Sequence, residues 1–285
     1  MLEFLLEPFS YEFMVKAISL SAAAGGICAF LSSYLILKGW SLIGDALSHA
    51  VVPGVAIAYA LGFPYAVGAF IAGFLATVTI LWIKSISKLK EEAVIGFIFT
   101  TFLALGLLIV SMNPTAVNVQ EIILGNILAI TEENAIQMAI VIVISLIFLL
   151  LFWKDLLLVF FDETQAISSG LKPIYYKVLF FTLLSACVVV ALQTVGAILV
   201  ISMVITPGAT AYLLTDSFKK MLIISTILGV ITSATGAYLS YHLNVTTGGL
   251  IVVFQAFLFL LAFYFAPKHG YFAKHKKLKL ELTNE

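Results

Sequence analysis

Arginine is absent from the 285 residues. The planar guanidinium fork that grips phosphate groups at two points is therefore not available to this chain. Fifteen Lys balance fifteen Asp and Glu, and the formal net charge is zero, so no basic surface points to nucleic acid as a partner. The phosphate-loop pattern Gly-x-x-x-x-Gly-Lys-Ser/Thr is missing, as are His-Glu-x-x-His and Gly-x-Ser-x-Gly. Without that loop the chain cannot hold ATP in the usual way. Any work it does draws on another subunit or on an ion gradient. Cysteine is limited to Cys28 and Cys187, both inside apolar runs, where they read as small core residues rather than as a disulfide or thiolate ligands. The first 16 residues carry Glu3, Glu7 and Glu12 against a single base, Lys16. A secretory signal starts positive, so the first apolar run is expected to remain as a span.

What the chain has in abundance is apolar surface. Sixty-two per cent of its residues are hydrophobic, and the mean hydropathy is +1.14. A soluble domain of this length needs far more polar surface, so the composition indicates an integral membrane protein. Apolar runs cover approximately 13–37, 46–61, 64–83, 93–112, 135–153, 178–193, 196–214, 221–241 and 249–267. They are continuous rather than alternating, which selects helices over a barrel. The fold class expected is an all-α integral membrane protein, a polytopic bundle of about eight or nine transmembrane helices. The stretch 178–214 is tight for two crossings. The more polar stretch 113–134, with Gln120, Glu121 and Asn126, is expected to be a surface helix. Pro53-Gly54 and Pro207-Gly208 suggest broken or kinked helices. Pairs of small residues four apart, such as Ala22 and Gly26, Ala69 and Gly73, and Gly236 and Ser240, suggest close helix packing.

Lysines supply the orientation. Lys84, Lys88 and Lys90 mark one cytoplasmic loop; Lys154, Lys172 and Lys177 mark a second; Lys219 and Lys220 mark a third. The tail 268–285 is also Lys-rich and is expected to be cytoplasmic and solvated, with contact to anionic lipid. Nine crossings then leave the acidic N-terminus outside.

Against this background one acid stands alone. Asp45 interrupts a run expected to cross the bilayer, in Gly44-Asp-Ala-Leu-Ser-His-Ala-Val-Val-Pro-Gly54. A carboxylate there costs about 2.5–3.5 kcal/mol on insertion scales and needs a partner. His49, four residues on, shares its helix face. Counted from Lys38, the two would lie roughly 10 and 15 Å deep at about 1.5 Å per residue. A carboxylate with an imidazole suits manganese, iron or zinc. One chain offers two ligands, and two chains around an axis would offer four. A structural Asp–His hydrogen bond at a helix break and a proton relay also fit the pair. The segment 155–172 is amphipathic and lies between lysine-bearing ends. Asp162 and Glu163 are placed to open a short helix and Gly170 to close it, a plausible cytoplasmic lever for a partner. His242 is expected near the outer mouth, as a surface histidine rather than a metal-entry ligand; His269 and His275 fall in the tail.

Three segments resemble one family, the permease subunits of bacterial ATP-driven importers for manganese, zinc and iron. They are Ser41-Leu-Ile-Gly-Asp-Ala-Leu-Ser-His-Ala-Val-Val-Pro-Gly-Val-Ala56, Asp155-Leu-Leu-Leu-Val-Phe-Phe-Asp-Glu-Thr-Gln-Ala-Ile-Ser-Ser-Gly-Leu171, and Val195-Gly-Ala-Ile-Leu-Val-Ile-Ser-Met-Val-Ile-Thr-Pro-Gly-Ala-Thr-Ala211. The resemblance covers nearly the whole chain. It implies a single permease domain over 1–285, like the type II ABC importers, multi-pass in the bacterial cytoplasmic membrane. It implies a homodimer, an ATP-binding cassette ATPase and an extracellular metal-binding lipoprotein as partners. It implies that Asp45 and His49 contact the metal in transit. It implies that the ATPase docks on the segment containing Asp162, Glu163, Ala166, Gly170 and Leu171. No permanently bound cofactor is expected; the metal is cargo, manganese preferred, with iron or zinc as alternatives. Two departures stand out. The base before the first segment is Lys38, followed by Gly39-Trp40, and Asn244 stands where many relatives have Asp. If an acid there helps draw in cations, this protein does so less well, or by Glu132 and Glu133. The rivals are an ion-coupled secondary transporter with Asp45 as its proton or cation site, and an intramembrane metalloenzyme. The latter would need a third ligand and a second acid that the spans do not supply.

Overall fold

The computed structural model describes residues 6–112, 130–196, 199–267 and 270–271. After a short 3-10 turn at Glu7–Ser10 the described residues form eleven α-helices and no strand. They are α1 (Glu12–Lys38), α2 (Ser41–Ala50), α3 (Val52–Leu61), α4 (Tyr65–Ile86), α5 (Glu91–Met112), α6 (Glu132–Phe161), α7 (Glu163–Ser168), α8 (Pro173–Val195), α9 (Val200–Leu214), α10 (Phe218–Leu243) and α11 (Thr247–Phe265). Eight segments are long and apolar enough to cross a membrane, with α2 and α3 counting together as one. The ninth apolar helix, α9, has only 15 residues. This resolves the tight stretch 178–214 into a full-length helix and a short one, parted at Gly196.

The breaks fall near, but not on, the expected places. Pro53 lies in the first turn of α3 and the interruption is at Val51, two residues after His49. Proline is at home in a first turn, where its missing N–H is not needed, so it starts this helix rather than breaking one. Pro207 lies inside α9, which continues through it. Residues 113–129 of the expected surface helix lie outside the described residues, and 132–134 open α6. Of the Lys-rich tail only 270–271 are described.

The helices form two compact units, Met1–Ile36 with Ser202–Glu285, and Leu37–Ile201. In the first unit small residues let backbones meet. A Cβ on Gly25 would collide with the Gly229 carbonyl and with Ser233, and one on Gly236 would meet Ile251. Hydroxyls also join helices of this unit: Ser32 Oγ of α1 donates to the Ile205 carbonyl of α9 at 2.9 Å and accepts from Gly208 N–H at 3.0 Å. Ser33 and Ser225 share a hydrogen bond of 2.7 Å. In the second unit α3 packs on α4 with Gly54 and Gly68 in mutual backbone contact. Next to them α5 covers α2 and α3, while α8 packs on α4 and α6. Close approach of small residues gives dispersion contact where lipid offers no hydrophobic drive.

Candidate functional site

The ten residues of α2 bury one side and open the other. Ile43, Gly44, Ala46, Leu47, Ser48 and Ala50 are buried. Asp45 and His49 face the open side, with side-chain exposures of 38% and 29%. His49 Nε2 lies 3.4 Å from Asp45 Oδ1, the spacing expected for residues one turn apart. The ring of Phe99, from α5, lies against the imidazole at a centroid distance of 5.1 Å. The structure thus brings the two predicted residues together and leaves both reachable. It brings no third ligand: no group of three or more His, Cys, Asp and Glu occurs among the described residues. One oxygen and one nitrogen are too few to replace the hydration of a divalent cation. A cavity of about 460 Å³ lies elsewhere, between α4, α6 and α8. Its walls are apolar apart from Gln137, Ser145, Thr182 and Gln193, and it contains neither Asp45 nor His49.

The other predicted residues separate into distinct places. Asp162 caps α7, its Oδ1 accepting from Gln165 N–H at 3.0 Å. At the far end Gly170 adopts φ +82°, which only glycine reaches without Cβ strain. Leu171 N–H then donates to the Ala166 carbonyl and Gly170 N–H to that of Ile167, closing the helix in a Schellman turn. Ala166 is fully buried, whereas Glu163 makes a 2.6 Å ion pair with Lys177 of α8. Asn244 ends α10 in the left-handed region, φ 52°, and Val245 N–H returns to the Ser240 carbonyl. Asparagine suits that backbone better than most residues, so it has a structural reason to be there. His242 is not a loose surface ring: Tyr238 and Tyr241 pack against it at 5.0 and 5.3 Å. Glu132 and Glu133 are exposed in the first turn of α6; Glu121, His269 and His275 lie outside the described residues.

An aromatic cluster at the start of α2 was not foreseen. Trp40, the residue before α2, stacks on Phe181 of α8 at 5.2 Å. It also meets Phe160 of α6 edge-on at 5.3 Å. Lys84 of α4 lies 5.7 Å from its ring centroid, and Lys38 Nζ donates to the Phe160 carbonyl at 3.2 Å. The only sequence hints are the pairs Phe160-Phe161 and Phe180-Phe181 and one tryptophan two residues after a lysine.

The eight span-length apolar helices among the described residues define a multi-pass membrane protein. Residues 10–266 match the model of the ABC 3 transport family, and the chain belongs to that family. It is 72% identical over 277 residues to a Haemophilus influenzae protein described as a "probable iron transport system membrane protein", covering 97% of this chain and 98% of the relative. It is 63% identical to the chelated iron transport system membrane protein YfeC of Yersinia pestis, over 99% and 96% of the two chains. It is 51% identical to the manganese transport system membrane protein MntB of Synechocystis, over 95% and 88%. Among solved structures, a chain of PsaBC from Streptococcus pneumoniae in complex with Fab superposes with a TM-score of 0.86 at 35% identity, covering 98% of this chain and all of that one. Membership in this family does not favour the ion-coupled alternative.

Proposed function

We propose that this chain is the permease of an ATP-driven importer for a divalent transition metal, and that two copies form the path. The observation that carries this is the exposed Asp45–His49 pair on α2, half of a coordination shell with no third ligand among the described residues. A second copy of the chain would complete it with another oxygen and another nitrogen. Such a site is strong enough to draw an ion from water and weak enough to release it. A binding lipoprotein delivers the ion outside; an ATPase engages α7 inside and drives the switch of access. Both partners are supported by the family. Manganese is the first reading, from the Gly-Asp-Ala-Leu-Ser-His-Ala-Val wording. Ferrous iron is the second, because relatives at 72% and 63% identity carry iron in their names.

The test is metal uptake by the assembled complex in liposomes. Asp45→Asn and His49→Ala should each lower manganese uptake about tenfold or more at normal expression, since each removes a ligand from both halves of the path. Unchanged uptake in both variants would remove the pair from the path. Competition between manganese and ferrous iron on the same complex ranks the two readings.

A further inference from the structure

We propose that Trp40 is a positioning residue which carries movement of α7 to the helix holding Asp45 and His49. The inference rests on the importer reading and adds a route from its ATPase contact to its metal path. Two physical connections run from α7 to Trp40. The first passes through α6. Only Asp162 separates α6 from α7, and Phe160, in the last turn of α6, is 2% exposed with its ring edge on Trp40. The Phe160 carbonyl, one of those a helix end leaves without an internal partner, is held by Lys38. The second connection passes through α8. Glu163 of α7 is paired with Lys177, and Phe181, one turn further along the same face, stacks on Trp40.

The helix beyond Trp40 starts at a backbone turn. The helix α2 is ten residues long. Gly39, at φ +75°, precedes Trp40, whereas at the other end Val51 keeps helical φ and ψ and α2 passes into α3. A helix that begins at such a turn follows whatever grips that end. Trp40 grips that end as a packed, 6% exposed indole, although it gives α2 no side-chain cap. Its Nε1–H is buried without a hydrogen-bond acceptor. A buried donor left unpaired is costly and needs a reason. A second arrangement of these helices, in which the indole finds an acceptor, supplies one.

The experiment uses the permease assembled with its ATPase and binding protein in liposomes, with manganese as the probe. Trp40→Ala should lower manganese uptake about tenfold while ATP hydrolysis stays within about twofold of wild type. Trp40→Phe, which keeps the stacking, should restore most of the uptake. Parallel loss of uptake and hydrolysis would mean a purely structural role and overturn the proposal, as would full uptake in Trp40→Ala. If Trp40→Ala does not assemble, the doubly substituted Trp82→Phe, Trp153→Phe protein leaves Trp40 as its sole tryptophan. Its emission should differ between the nucleotide-free and vanadate-trapped complexes; identical spectra overturn the proposal. Failure of the importer reading is separately visible, because the wild-type complex itself would then take up no manganese.

Discussion

At the scale of single residues, the informative side chains are those that break the chain's apolar rule. Asp45 is such a residue, and its 38% exposed side chain means that the fold does not depend on it. Asp45→Asn should therefore leave the thermal unfolding midpoint of the detergent-solubilised permease nearly unchanged while it lowers manganese uptake about tenfold or more. Gly54 is the opposite case. Its Cβ would run into the Gly68 carbonyl and sit 2.6 Å from the Ala72 side chain. Gly54→Ala should cost about 1–3 kcal/mol by overpacking and lower the same midpoint. The pair was legible in the sequence because an isolated charge in an apolar run is rare and expensive. The Trp40 cluster was not, because its members are 120 and 141 residues from Trp40 in sequence and no periodicity links them.

Among the elements, α7 is the shortest α-helix described, six residues with one cap at each end. Asp162→Ala removes an acceptor worth about 1 kcal/mol to a helix. Gly170→Ala places a Cβ in a left-handed residue at about 1–2 kcal/mol. Each should speed hydrogen exchange at the amides of 163–168, and the pair together should do so more than either alone. Helix ends of this kind are visible in sequence, since capping acids and closing glycines act within a few residues. The site of the break between α2 and α3 was not, because proline fits either a broken helix or the first turn of a new one. Only the observed position of Val51 decides between them.

For the whole molecule the question is topology. Lysine-bearing segments follow the first, third, fifth, seventh and ninth apolar helices only if α9 is counted as a crossing. At about 1.5 Å per residue its 15 residues reach roughly 22 Å, short of a hydrocarbon core about 30 Å thick. The ends of α10 test the orientation that follows. A membrane-impermeant maleimide should label Asn244→Cys in intact cells, and Ser217→Cys only after the membrane is opened. The native Cys28 and Cys187, at 0% and 1% exposure, should stay silent in both conditions. The helical class and the eight or nine apolar runs were readable from composition and run length; the point at which one run splits into α2 and α3 was not. The division into two units was not, because it depends on which faces meet.

The proposed path, with half its ligands from a second copy, predicts a genetic signature. A cell making equal amounts of intact permease and the Asp45→Asn form would assemble them at random, and about a quarter of its twofold complexes would carry both carboxylates. The altered copy should therefore poison the normal one, cutting metal accumulation well below half although the healthy gene is untouched.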